Sequence, residues 1–245
     1  MSISTKQFLK LQTIALFSLG LLSVHAQATP ITLMGTNFDV IYDSSLVGLF
    51  GTPTLSGNAV FFTPVAFKAE SLNGLGVVTA NSTINLSIIE HAGRNITTFD
   101  LVELGDYRLV GANSVVGIGG QTRVFDIANP FIQANNQITT TSNLSIINSI
   151  FDSTTHDWAS SSSVAVTGSQ WANTTSYNYT IENLLTAYTD PAGTGPKIAF
   201  IEKKFAGSSI SIVVTTVPEI DTYTMLIAGL GFVGFIARKK NRNNV

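Results

Sequence analysis

The sequence predicts an all-β fold, an antiparallel sandwich of the jelly-roll kind, and three observations carry that expectation. Apolar and polar residues alternate with the period of a strand, as where Ile84, Leu86 and Ile88 interleave with Asn85, Ser87 and Ile89. Clusters of Gly, Pro, Asn, Asp and Ser punctuate the chain at short intervals. No segment long enough for a helix carries a helical apolar stripe between the two ends.

The strands follow in order. A first strand is expected over 31–42, closed by Asp43-Ser44-Ser45. Gly48, Gly51, Pro53 and Gly57-Asn58 mark turns before the run Ala59-Val60-Phe61-Phe62, which Pro64 ends. The alternation at 84–89 is a strand with one buried face. Residues 99–110 read as a strand pair or a bent strand, with Gly105-Asp106 at the bend. Arg123, Phe125 and Ile127 alternate with Thr122, Val124 and Asp126. Further strands are expected at 138–150, 164–166, 177–188, 198–205 and 210–215, making nine or ten. Asn129-Pro130, Asn135-Asn136, Gly168, Asp190-Pro191 and Gly207-Ser208 separate them. The pentapeptide Asn85-Leu86-Ser87-Ile88-Ile89 recurs at Asn143-Leu144-Ser145-Ile146-Ile147, a repeat too short and too isolated to signal a solenoid.

Composition narrows the function. The region between the two terminal segments holds seven cations against thirteen carboxylates, a mildly acidic balance with no basic footprint for nucleic acid. Cysteine is absent, so the fold has no disulfide, no thiol nucleophile and no thiolate metal site. No cofactor is expected.

Candidate chemistry is sparse. Asp152-Ser153-Thr154-Thr155-His156-Asp157-Trp158 gathers a hydroxyl, an imidazole and carboxylates. Asp152, His156 and Asp157 could serve a hydrolase, or Asp152 and Asp157 a calcium ion. Sequence neighbours rarely form a triad, so a solvated loop is the preferred reading. Glu90-His91 reads as a surface pair rather than part of a zinc site, which needs three or four ligands. Gly117-Ile118-Gly119-Gly120 lacks the residues that follow a phosphate loop and reads as a hairpin turn or bulge. Trp158, Trp171, Tyr177 and Tyr179 are candidate carbohydrate-binding aromatics, with Tyr177 and Tyr179 on one strand face. The preferred reading packs the tyrosines on the core or over a sheet edge.

Both ends read as signals. Lys6 and Lys10 precede an almost uncharged core over 11–24, and Val24-His25-Ala26 offers the small residues of a signal-peptidase site. A signal peptide over 1–26 is expected, cleaved after Ala26, with Ala28 as the second choice. A β domain then runs over 27–216, and a sorting segment over 217–245. That segment comprises Val217, Pro218 and Glu219, an apolar helix over 222–237, and a basic end over 238–242 with Arg238, Lys239, Lys240 and Arg242. The 14 residues from Thr224 to Ala237 span only about 21 Å as a helix, short of a hydrocarbon core of about 30 Å. Extension through Tyr223 and Thr222, with Arg238 and Lys239 snorkelling, makes a single transmembrane helix. Its basic end faces the cytoplasm.

This tail resembles the PEP-CTERM sorting domain of Gram-negative bacteria. The likeness runs from Val217-Pro218-Glu219-Ile220-Asp221 through the apolar helix to Arg238-Lys239-Lys240, and it departs at Ile220, where the family motif has a second proline. Phe38-Asp39-Val40, the stretch over 51–57 and Glu103-Leu104-Gly105-Asp106-Tyr107 are similar to the β-rich part of other such proteins. The resemblance implies recognition by an exosortase, passage through the inner membrane as an intermediate, and association with exopolysaccharide and biofilm. The expected protein is therefore exported to the cell surface or extracellular matrix and is non-catalytic. A carbohydrate-binding module and an extracellular hydrolase stand as the alternatives.

Overall fold

The computed structural model describes residues 29–64, 66–192, 194–203 and 209–218, with Leu226 and Leu230 beyond them. Ala26 and the signal peptide, Glu219, most of 222–237, and Arg238, Lys239, Lys240 and Arg242 lie outside the described residues. Among the described residues no helix is long and apolar enough to cross a membrane.

The all-β expectation holds. The strands are β1 (Pro30–Leu33), β2 (Phe38–Asp43), β3 (Thr54–Ser56), β4 (Ala59–Phe62) and β5 (Lys68–Leu72). Three long ones follow: β6 (Gly76–Glu90), β7 (Arg94–Val110) and β8 (Val115–Asp126). Then come β9 (Gln133–Gln137), β10 (Thr139–Thr140), β11 (Ile147–Asn148) and β12 (His156–Ala165). Finally there are β13 (Ser176–Thr189), β14 (Ile198–Lys203) and β15 (Ile210–Pro218). Short helical turns at Gly48–Phe50 and Ser169–Trp171 complete the described elements.

Two sheets result. One has the order β1-β2-β6-β13-β8-β9, and the other β10-β12-β7-β15-β4-β3. Strand β7 organises the second sheet. Along one flank it pairs with β12 from Thr98 to Tyr107. Along the other it pairs first with β15, as Ile210 opposite Glu103, and then with β14, as Lys203 opposite Gly105. Two strands thus share one side of β7 end to end, and β5 extends the sheet beyond β14.

The strands form where alternation demands it. On β13 the residues Tyr177, Tyr179, Ile181, Asn183, Leu185, Ala187 and Thr189 are all buried, while their neighbours are not. The two sheets face each other across such rows. Phe99 of β7 stacks on Tyr179 of β13 with ring centroids 5.1 Å apart, and meets the Tyr177 ring edge-on at 5.7 Å. Burying one such ring contributes about 2–3 kcal/mol. The Thr122 and Ser162 hydroxyls, one on each sheet, lie 2.6 Å apart.

Several sequence expectations are corrected. The single strand over 31–42 is a hairpin, because β1 and β2 pair antiparallel around residues 34–37. Residues 99–110 are one continuous strand. The expected strand over 138–150 is mostly irregular, with only β10 and β11 in it, and Ile146, Ile147 and Ile150 stay exposed. The recurring pentapeptide lies inside β6 at its first occurrence and mostly in a loop at its second, so the repetition has no structural counterpart. Gly117 to Gly120 lie inside β8 rather than in a turn. Their lack of side chains serves pairing: Gly120 sits at φ 132°, opposite Asn183, and a Cβ there would strike the Glu182 carbonyl. Fifteen strands are described where nine or ten were expected, since segments of two or three residues carry no detectable period.

Gly105 is a second close approach. A Cβ at this position would meet the Glu202 carbonyl oxygen and the Trp158 ring. Neither can retreat, because the indole Nε1 donates to the Asp106 and Glu202 carbonyls at 3.2 and 3.1 Å. Gly105→Ala is expected to cost roughly 2–4 kcal/mol by overpacking and loss of these bonds, read as a lower urea midpoint at unchanged slope.

Candidate functional site

The chemically densest place lies between the sheets, where β14 and β15 meet on the flank of β7. Three strands each place one charged or amide residue in a mostly apolar inward row. On β7 the inward row is Phe99, Leu101, Glu103 and Gly105. On β14 it is Ala199, Ile201 and Lys203. On β13, from the opposite sheet, Asn183 stands between Ile181 and Leu185.

These residues converge on the Glu103 carboxylate. Lys203 Nζ lies 2.8 Å from Oε2, and both side chains have no exposed surface. Ser160 on β12, directly opposite Glu103 in the register, donates its hydroxyl to Oε2 at 3.0 Å. The Asn183 Nδ2 donates to Oε1 in a short contact. The Lys203 Nζ–Oε2 approach is close, but its direction is not that of a hydrogen bond, and Nζ has no other acceptor. The ammonium sits instead against two aromatic faces, 5.1 Å from the Phe67 ring centroid and 5.3 Å from that of Trp158. Burial pushes the Lys203 ammonium below its ordinary pKa, opposed by the neighbouring Glu103 charge.

An ion pair in such a site is held by geometry rather than by net gain, because desolvation cancels much of the attraction. What the arrangement can do is limited to its own members. The Glu103 carboxylate can exchange a proton with Lys203 or support a reaction between groups already inside, and it is sealed from diffusing substrates.

The residues singled out by sequence fare differently. Trp158, Trp171, Tyr177 and Tyr179 are 2%, 3%, 0% and 0% exposed, so the surface carbohydrate-binding reading of these aromatics is corrected. They are core residues, as the packing alternative expected for the tyrosines. Trp171 stacks on Tyr177 at 6.1 Å, and the Tyr177 hydroxyl donates to the Thr174 carbonyl at 3.0 Å. Tyr177 and Tyr179 do share one strand face.

Asn148 bridges Asp152 and His156, its Nδ2 donating to Asp152 Oδ2 at 3.1 Å, while Asp157 faces the other side of the strand from His156. Asp152 lies half-buried in a turn where the Thr154 hydroxyl, and then its N–H, hold the carboxylate below its usual pKa. His156 opens β12, with Nε2 3.2 Å from Asn148 Oδ1 and its ring tilted on Tyr107. The loop reading therefore applies only as far as Thr155, since His156, Asp157 and Trp158 belong to a strand. His91 pairs with Asp39 at 3.1 Å rather than with Glu90, whose Oε2 accepts from the Ile96 N–H at 2.7 Å. Among the described residues no three His, Asp or Glu side chains gather as a metal site. Val217 and Pro218 are the last two residues of β15.

Fold and site together define an all-β protein with a sealed ionic cluster at its centre. No family model matches the chain, and no curated protein matches it significantly. Sequence reading passed over Glu103, Asn183 and Lys203. The available signal was a polar residue at an apolar position of a strand row, visible in each segment once its alternation is fixed.

Two outcomes follow from this packing. Trp171→Ala is expected to destabilise the protein by roughly 3–5 kcal/mol, measured by denaturant unfolding. Burial raises the Tyr177 and Tyr179 hydroxyls well above 10.0, so the unfolded chain ionises first. Their contribution is complete below about pH 10 and is lost above it, at up to about 1.4 kcal/mol per unit for each tyrosine. The Tyr179 hydroxyl has no sound hydrogen-bond partner, its neighbour Thr122 being engaged with Ser162. Tyr179→Phe is therefore expected to keep or raise stability at pH 7 and to flatten the alkaline loss, followed by circular dichroism.

Proposed function

We propose that the chain is a non-catalytic protein of the cell surface or extracellular matrix. On this reading a signal peptidase removes 1–26, the sorting segment holds the chain in the inner membrane as an intermediate, and an exosortase processes it. Association with exopolysaccharide follows from the same resemblance.

One observation carries the non-catalytic part. The cluster of Glu103, Lys203 and Asn183 has no access to solvent, so it cannot meet a soluble substrate. Asp152 meets His156 through the Asn148 amide rather than directly, and Asp157 faces the other side of β12, an arrangement unlike one that activates a nucleophile. The layout of the tail supports the sorting part. Strand β15 delivers the chain to Pro218, opposite Arg94 at the first position of β7, so the motif starts at the edge of the folded domain. A processing enzyme acting there meets the end of a strand, which opens at a lower cost than its middle.

Mass spectrometry of the protein recovered from its natural host tests the proposal. The expected form begins at Gln27, lacks 238–245 and is found outside the cell or on its surface. Recovery of the whole chain from the cytosol, with Met1 and Val245 in place, would refute export and sorting together.

A further inference from the structure

A buried lysine and glutamate are an expensive way to fill a core, since apolar residues of like volume are often as stable or more so. Here a third group stands beside them whose chemistry gives the pair a use. Asn183 is fully buried; its Nδ2 donates to Glu103 Oε1, and its Oδ1 has no hydrogen-bond partner. Lys203 Nζ lies 2.8 Å from the other oxygen of the same carboxylate, also without a hydrogen bond of its own. One carboxylate thus holds an amine on one oxygen and a carboxamide on the other. The three residues come from β7, β13 and β14, and β13 lies against β14 in the fold.

We propose that Lys203 and Asn183 join in an intramolecular isopeptide bond, with Glu103 as the proton carrier. Glu103 takes one proton from the Lys203 ammonium, leaving a neutral amine. Nζ attacks Asn183 Cγ, and the carbonyl electron pair moves onto Oδ1. Glu103 returns a proton to Nδ2 and takes another from Nζ as the tetrahedral carbon collapses. The Cγ–Nδ2 bond breaks, ammonia leaves, and an Nζ–Cγ amide remains beside a protonated Glu103. Atoms and charge balance with no oxidant, metal or other reactant.

The surroundings favour each step. Burial already disfavours the Lys203 ammonium, which lowers the cost of making the amine. Phe67 and Trp158 flank Nζ, which restricts where it points and keeps water from the amine. Fixing both partners on rigid strands replaces a bimolecular encounter by a local one, the condition under which an unactivated amide reacts. Gly120 contributes by letting the backbone of β8 lie close to Asn183. The product ties the two sheets together through the core of a chain that has no cysteine. The bond depends on neither export nor sorting and forms in whatever compartment the protein folds.

Intact-mass spectrometry of the purified full chain tests it, with the termini determined on the same sample. The expected mass falls short of the polypeptide's by one ammonia in most molecules. Proteolysis is expected to yield a branched peptide joining Asn183 to Lys203. Lys203→Met and Glu103→Gln are expected to restore the full mass, and Asn183→Asp to form the bond with loss of water instead. A full mass in the unaltered protein overturns the proposal, as does an ammonia loss that sequencing assigns to a cyclic imide at another asparagine. A folded Glu103→Gln that still carries the branched peptide overturns the role of Glu103. The digest of the unaltered protein decides whether the bond exists even where a variant fails to fold.

Discussion

Lys203 and Glu103 meet with no water between them, and much of the topology around them serves that meeting. Strand β7 is long enough to hold two partners end to end on one flank, and Glu103 sits where the partner changes from β15 to β14. Lys203 ends β14 at that junction, so its side chain enters the core rather than the solvent. Charges so placed forfeit several kcal/mol of hydration each, and a missing partner leaves the other uncompensated. Removing either one is therefore a different event from replacing both. The pair opposes a one-residue slip of β14 along β7, because that slip would turn Lys203 to the other face of the sheet and leave Glu103 buried without its partner.

Aromatic packing surrounds the polar centre. Phe99, Tyr177, Tyr179 and Trp171 form a contiguous set across the two sheets, and Trp158 closes the other side over Gly105. The core therefore rests on shape complementarity in two directions: large rings that fill space, and two glycines whose missing side chains make room for a ring and for a neighbouring strand. A chain without disulfides depends on such fit for a single ordered state. The inward hydroxyls of Ser160, Ser162 and Thr122 fit the same scheme, since each finds a hydrogen-bond partner inside the core.

Much of the architecture was legible before the structure. Alternation at 84–89 and the strand expected over 177–188 located the two longest pairing partners of the first sheet, and the turn residues placed most of their ends. Short strands such as β3, β10 and β11 were not legible, because two or three residues contain no period and form only when a longer strand offers them a ladder. The Ser-rich β12 was largely missed for a related reason: Ser160 and Ser162 occupy inward positions, so its row is not marked by hydrophobicity. The four aromatics were ambiguous in sequence, as ring type alone does not tell a stacking platform from a core. Their burial resolves them as core.

Local chemistry, then, was enough to establish strand class, acidic balance and the absence of thiols, since each is read from composition or from residues close together in the chain. The central cluster was beyond its reach. Asn183 and Glu103 are 80 positions apart and lie in different sheets, and Lys203 joins them only through the pairing of β14 with β7. Alternation states that a residue points inward; which other inward residue it will face depends on strand order and register, and those emerge only when the whole sandwich closes.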